Sequence, residues 1–80
     1  MGGAVVRMYS RRMCGLCDEA RAVIVGELRR RPFRFDEVHI DGDDELERTY
    51  GLRVPVIEVN GREEFEYAVD PRRFRKLLRR

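Results

Sequence analysis

The chain has 80 residues, the length of one small domain, and we expect a single domain over residues 1–80. Its 17 basic and 15 acidic residues leave a formal net charge of +2, and 42% of its residues are hydrophobic, enough for one modest core and too many for a disordered chain. No apolar run approaches the ~20 residues of a membrane-spanning helix, so we expect no membrane partner.

The first part of the chain predicts a strand, a helix and a second strand. A short apolar run rich in β-branched residues predicts a buried strand over 4–9, followed by a loop over 10–13. Apolar residues then recur three and four apart, which predicts a helix over 15–31 that Pro32 ends. A second strand is predicted over 33–40.

The second part predicts a short helix, a β-hairpin and a last helix. The short helix covers 44–50, and the two strands cover 56–59 and 62–67. Asn60-Gly61 between these strands is the strongest short hairpin signal, since both turn residues need a positive φ. Asp70-Pro71 is typical of an N-cap followed by proline at the first helical position, and the last helix runs from there toward residue 80.

The predicted order of elements is therefore β-α-β-α-β-β-α. A strand–helix–strand start implies a parallel pair of strands with a right-handed crossover. The hairpin adds an antiparallel edge to this pair. We predict an α/β fold in which helices flank a four-stranded mixed sheet.

Cys14-Gly15-Leu16-Cys17 lies where the first strand meets the first helix. The free N–H groups at a helix start carry partial positive charge and stabilise a thiolate there, which is the position of Cys14. Arg11 and Arg12 precede it and add positive potential. Cys17 lies one turn further, on the apolar face, so it is expected to be more buried and less reactive. Because this spacing lets the two sulfurs meet, we predict a dithiol–disulfide pair in which Cys14 attacks and Cys17 resolves.

Other functions for the two cysteines stay open. A zinc site needs four ligands, and the only other soft ligand is His39, which is expected at a strand end or on the surface, so we expect no metal within one chain. Two chains could pool four cysteines around zinc or an iron–sulfur cluster. The alternative function is then a non-catalytic interaction module, bridged by a metal in a dimer.

The basic residues are nearly all arginine, 16 of 17, with Lys76 the single lysine. Fifteen acidic residues are interleaved with them, which indicates an ion-paired surface. No recognised basic motif is present, so we expect no nucleic-acid partner. An Arg-rich nucleic-acid binder is the third hypothesis.

A second motif, Arg53-Val54-Pro55-Val56, precedes the third strand. Proline cannot join a central ladder, so its place beside a strand needs a reason. From the residues alone, a trans proline that begins the strand is the simpler interpretation, because about 5–6% of X-Pro bonds are cis.

The chain resembles a glutaredoxin-like member of the thioredoxin superfamily over essentially its whole length, and it is most similar to short bacterial glutaredoxin-like proteins. The resemblance is carried by Tyr-Ser-Arg-x-x-Cys-x-x-Cys after the first strand, by Val54-Pro55 before the third and by Asn60-Gly61 in the hairpin. It implies a thioredoxin-like fold, a reactive Cys14, a resolving Cys17 and a cis Pro55 beside the disulfide. It also implies that the backbone of Val54 pairs with the substrate chain.

The resemblance names glutathione as a possible co-substrate and also shows where this chain departs from glutaredoxins. Arg11 matches the basic residue that glutaredoxins place three before the first cysteine. The Gly-Gly pair that precedes their last helix is absent from Glu66–Asp70, although Asp70 remains as the helix cap. Without that pair, side chains obstruct the close approach of glutathione. We expect the partner to be a protein or small thiol, with no resident cofactor.

The sequence also leads to an expectation about the cellular location and one about the oligomeric state. Ala4-Val5-Val6 is too short for the core of a secretory signal, and a pair of cysteines separated by two residues cannot staple distant parts of a secreted fold. We therefore expect a cytoplasmic protein, where thiols are kept reduced. We also expect a monomer.

Overall fold

The computed structural model describes residues 3–79 and has the predicted order of elements. The strands are β1 (Val5–Ser10), β2 (Arg34–His39), β3 (Val56–Val59) and β4 (Arg62–Glu66). The helices are α1 (Gly15–Leu28), α2 (Asp44–Tyr50) and α3 (Pro71–Leu78).

The four strands form one mixed sheet in the order β2-β1-β3-β4. β1 pairs with β2 in parallel and with β3 in antiparallel, so the predicted mixture of directions is confirmed. The turn between β3 and β4 uses Asn60 and Gly61 at φ values of 53° and 84°, as its sequence predicts. Because β1 is a central strand, the chain that leaves its carboxyl end emerges from the middle of the sheet.

Both faces of the sheet are covered. One face carries the larger core, in which Val6 and Met8 of β1 pack with residues of α1 and α3 such as Ile24 and Phe74. The other face carries a smaller core around Tyr9, to which α2 contributes partly buried side chains. β1 is therefore buried along one face and on both faces only toward its carboxyl end, where Tyr9 and Ser10 are both buried, while Val5 and Arg7 are exposed.

The first helix is shorter than predicted, because α1 ends at Leu28 and not at residue 31. The N–H groups of Arg30 and Arg31 both donate to the carbonyl oxygen of Glu27, at 2.9 and 3.1 Å, so the chain tightens and leaves the helix there. Pro32 disfavours helical geometry only at Arg31, and the helix ends before that residue because the Arg30 N–H bonds to the carbonyl three residues back.

Other ends differ from prediction by one or two residues. Ser10, predicted in the loop, is the last residue of β1 because it pairs with His39 of β2. β2 is one residue shorter at each end than predicted. β4 stops at Glu66, since Tyr67 has a φ of 71° and leaves the extended region. α3 ends at Leu78, and residue 80, to which the prediction extended, lies outside the described residues. None of the helices in the described part of the chain has the length and hydrophobicity to cross a membrane.

Candidate functional site

The two cysteines lie at the start of α1 and form a disulfide, with their Cα atoms 5.2 Å apart. Cys14 is the N-cap residue, and its Sγ accepts a hydrogen bond from the N–H of Cys17 at 3.1 Å. Cys17 is completely buried and Cys14 is partly exposed, so the predicted difference in access is confirmed. The more accessible sulfur is therefore also the one that the first turn of the helix contacts.

The segment between β1 and α1 turns sharply to place Cys14 at the helix start. Met13 has a φ of 52°, and its side chain is fully exposed. The N–H of Arg12 donates to Oδ2 of Asp41 at 3.1 Å, while the Arg12 side chain is exposed. The turn is thus held by a backbone contact with the segment that follows β2.

Arg11 joins the segment between β1 and α1 to the end of α2. Its Nη2 donates to Oε1 of Glu47 and to the carbonyl oxygen of Gly51, both at 2.9 Å. A Cβ at residue 51 would overlap the Glu47 carbonyl oxygen and crowd Arg11 Nη2, so a glycine is required there. The charge of Arg11 is balanced by Glu47, and its direct contacts fix the position of α2 beside the disulfide segment.

The predicted Val54-Pro55 motif forms a cis peptide bond. Pro55 is fully buried, and Val54 packs against the smaller core around Tyr9. The carbonyl oxygen of Pro55 accepts from the N–H of Tyr67 at 2.8 Å, and the Tyr67 hydroxyl donates to the carbonyl oxygen of Leu52 at 3.1 Å. The proline loop, residues 51–55 between α2 and β3, is therefore bound to the segment that precedes α3.

Arg53 is a residue of the proline loop whose contacts sequence reasoning missed. Its Nη2 donates to the carbonyl oxygen of Thr49 at 3.0 Å, and its Nη1 contacts Glu63 and Glu66 at 3.0 and 3.1 Å. The guanidinium also lies over the Tyr50 ring, 5.6 Å from its centre. Arg53 thus ties the loop to α2 and to β4 at once. Its only signal in the sequence was its place just before Val-Pro.

Asp70 caps α3, as predicted, because its side chain accepts from the N–H of Arg72 at 3.1 Å. The segment before Asp70 presents side chains to the surface, not bare backbone. Tyr67 stands there with a half-exposed side chain and a positive φ, and the N–H of Ala68 donates to the carbonyl oxygen of Glu66 at 2.9 Å. Side chains therefore occupy the place where the resemblance implies a glycine pair.

A charged network that sequence reasoning also missed lies beside the first turn of α1. Arg21 donates through Nε and Nη2 to the two carboxylate oxygens of Glu37, at 2.8 and 2.6 Å, and through Nη1 to Asp18 at 2.8 Å. Ser10, fully buried, donates its hydroxyl to Glu37 at 2.6 Å. The exposed side chain of His39, at the end of β2, lies 3.3 Å from the same carboxylate. The hydrogen bonds from Arg21 and then from Ser10 outweigh partial burial and lower the pKa of Glu37 to about 2.

The variant Glu37→Gln is expected to lower the free energy of unfolding at pH 7 by about 1 kcal/mol, a value reduced for the partial exposure of the pair. The folded pKa of about 2 lies below the ordinary value of 4.5, so the carboxylate stabilises the fold above pH 4.5 and loses this contribution as the pH falls toward 2. Urea unfolding of both proteins at about pH 7, 4 and 2.5 should show the difference in their free energies of unfolding shrinking as the pH falls. A difference that stays constant across this range would contradict the assignment.

No cluster of three or more histidine, cysteine and acidic side chains is placed to hold a metal ion within residues 3–79. In this state both cysteine sulfurs are bonded to each other. The chemistry that the arrangement itself offers is thiol–disulfide exchange.

Comparison with known proteins supports this geometry. The family model described as a glutaredoxin-like domain (DUF836) matches residues 5–79. The structural-genomics protein XcR50 from X. campestris is 38% identical, with 94% of this chain and 96% of that chain covered and a TM-score of 0.75. Protein Ne2328 from Nitrosomonas europaea is 28% identical, with coverage of 98% and 94% and a TM-score of 0.82.

More distant structures show the fold alone. The thioredoxin of Fasciola hepatica is 18% identical, with 98% of this chain and 80% of that chain covered and a TM-score of 0.62. No curated protein sequence matches the chain significantly. The predicted thioredoxin-like fold is confirmed by these structures, and the fold with its cysteine pair supports a redox-type function.

Proposed function

The chain belongs to the glutaredoxin-like domain family (DUF836), and we propose that it is a thiol–disulfide oxidoreductase that works through the Cys14–Cys17 couple. The observation that carries the proposal is the asymmetric pair at the start of α1. Cys14 is accessible and accepts a hydrogen bond from the first helical turn, whereas Cys17 is buried behind it within bonding distance. This is the arrangement that an attacking thiolate and a resolving thiol require.

In the first step, the Cys14 thiolate attacks one sulfur of a substrate disulfide. A bond forms between Cys14 Sγ and that sulfur, and the substrate's S–S bond breaks. The second substrate sulfur leaves as a thiolate and takes a proton from solvent. The N–H of Cys17 and the other amide groups of the first turn stabilise the Cys14 thiolate before attack.

In the second step, Cys17 loses its proton and attacks Cys14 Sγ. The intramolecular disulfide forms, the mixed disulfide breaks, and the remaining substrate sulfur leaves and is protonated. Two electrons have then passed from the protein dithiol to the substrate. A thiol reductant, either glutathione or the dithiol of a reductase protein, restores the dithiol by the same exchange in reverse.

The surface around the disulfide favours a polypeptide substrate over a dedicated glutathione site. Among residues 3–79, four of the five large hydrophobic side chains that are exposed lie next to the cysteines or in the segments joined to the proline loop: Met13, Leu16, Leu52 and Tyr67. Apolar side chains of a substrate can cover them, with the backbone of Val54 pairing with the substrate chain. We further propose that Pro55, Arg11, Arg12 and Asp70 contribute to substrate binding at this site.

The absence of a glycine pair before α3 also favours a polypeptide substrate over a dedicated glutathione site. The Tyr67 side chain belongs to this segment, and its hydroxyl donates to the carbonyl oxygen of Leu52. The carboxylates of Glu63 and Glu66 share the single guanidinium of Arg53, so a net negative charge remains nearby. Glutathione is a tripeptide that carries two carboxylates, so it gains little binding free energy there. Glutathione is then a reductant that reaches Cys14, and the specific substrate is a disulfide-bearing protein.

The test is a redox titration of the purified chain in glutathione buffers, followed by intact mass. We expect conversion to a species lighter by two hydrogens at one defined midpoint, because both thiols are consumed together. A persistent glutathione adduct on Cys14 would replace the dithiol route by a monothiol route. Cysteines that stay reduced, or that carry zinc or iron in a dimer, would overturn the proposal in favour of an interaction module.

A further inference from the structure

The guanidinium of Arg21 lies beside the first turn of α1, where the two cysteines are. Arg21 follows Cys17 by four residues, so the two side chains share one face of the helix. Helical side chains lean toward the amino end, and the 2.8 Å contact between Arg21 Nη1 and Asp18 shows that this one does. A positive charge is thereby fixed next to the residue that directly follows Cys17.

Glu37 holds the opposite edge of that guanidinium. Its two oxygens accept two hydrogen bonds from Arg21 in the bidentate geometry that carboxylate–guanidinium pairs favour. The side chain of Glu37 is 19% exposed and that of Arg21 is 34% exposed. The hydroxyl of Ser10, which is fully buried at the end of β1, completes the contact. Contacts from α1, β1 and β2 therefore fix the position of the pair, which is shielded from solvent more than a surface ion pair is.

The charges of the network add up to minus one. Arg21 contributes one positive charge, and Asp18 and Glu37 contribute one negative charge each. The oxidised pair of cysteines carries no charge. Reduction adds two electrons and one proton when one sulfur remains a thiolate, so the reduced pair carries one negative charge. Any fixed charge nearby therefore acts on one redox state only.

We propose that Arg21 and Glu37 are opposed positioning residues that set the reduction potential of the Cys14–Cys17 couple. Arg21 stabilises the thiolate and favours the reduced state. Glu37 fixes Arg21 in place and offsets its charge, which favours the disulfide. The inference rests on the proposed redox function and adds to it a means by which the fold selects how strongly the couple reduces its substrate.

The experiment measures the equilibrium of each variant with glutathione at pH 7. Glu37→Gln is expected to shift the equilibrium constant about threefold toward the dithiol, and Arg21→Gln about threefold toward the disulfide, or about 15 mV in each direction, where tenfold corresponds to about 30 mV. The double variant has the same net charge as the wild type and should return close to the wild-type potential. The pH midpoint of Cys14 alkylation should move down in Glu37→Gln and up in Arg21→Gln.

Two more variants separate the field of these charges from damage to the fold. Asp18→Asn removes a carboxylate whose side chain is 73% exposed, and it should shift the potential in the same direction as Glu37→Gln. Asp36→Asn removes a charge from the adjacent position of β2, which faces the other side of the sheet, and should leave the potential unchanged.

The sign of the shifts decides the inference. A shift toward the dithiol in Glu37→Gln and toward the disulfide in Arg21→Gln, with Asp36→Asn unchanged, supports it, and the reverse pair of shifts overturns it. Shifts of the same sign, or shifts no larger than that of Asp36→Asn, overturn it while leaving the oxidoreductase proposal intact. A wild-type chain without a reversible couple would instead overturn the proposed function itself.

Discussion

Cys14→Ser is expected to abolish disulfide exchange, with a loss on the order of 1000-fold or more, because a serine hydroxyl is not ionised at neutral pH and cannot form the mixed disulfide. Cys17→Ser should behave differently. Its Cys14 still attacks, but no buried thiol at residue 17 resolves the product, so the mixed disulfide accumulates. Reduction of a labelled disulfide-bearing peptide gives the rates, and intact mass detects the trapped adduct.

The two variants control for each other, because each removes one sulfur from the same helix turn. Both should be compared with the reduced wild type, so that the absence of the disulfide is common to all three. Activity close to that of the wild type in Cys14→Ser would exclude Cys14 as the nucleophile. Equal trapping by the two variants would mean that their difference in exposure does not assign their roles.

Phe74→Ala is the substitution expected to cost most stability, about 3–5 kcal/mol. Phe74 is fully buried on α3 and meets Phe33 and Phe65 edge to face, at ring-centre distances of 5.9 and 6.3 Å. Its removal leaves a cavity between α3 and the sheet and loses both aromatic contacts. A small domain has about 5–15 kcal/mol of stability in total, so the variant should lie near the limit of folding.

Urea unfolding at pH 7 measures this loss directly. Lys76→Ala is the matched control, because Lys76 lies on the same helix with an exposed side chain and should change the free energy of unfolding by about 0.5 kcal/mol or less. A loss below about 1 kcal/mol for Phe74→Ala would mean that α3 contributes little to the core.

Local patterns determined much of this protein. The Asn60-Gly61 turn, the Asp70 cap and the Cys14 helix start depend on residues within a few positions of one another, so the sequence predicted all three. The order of elements followed from periodicity in the same way. Helix and strand ends were less certain: α1 was predicted to reach residue 31 and stops at Leu28, where the N–H groups of Arg30 and Arg31 both turn to the carbonyl oxygen of Glu27.

The tertiary structure alone decided which residues surround the cysteines. Glu37 meets Arg21 because β2 lies in parallel beside β1, with Glu37 opposite Met8, and this register joins residues that are distant in the chain. Arg11 reaches α2 by the same kind of long-range contact. Such pairs leave no periodic signal, since a charged residue near a strand end has the same local pattern whether water or a guanidinium faces it. The sequence by itself thus determined where the redox pair lies in the fold, and strand pairing decided which charges act on it.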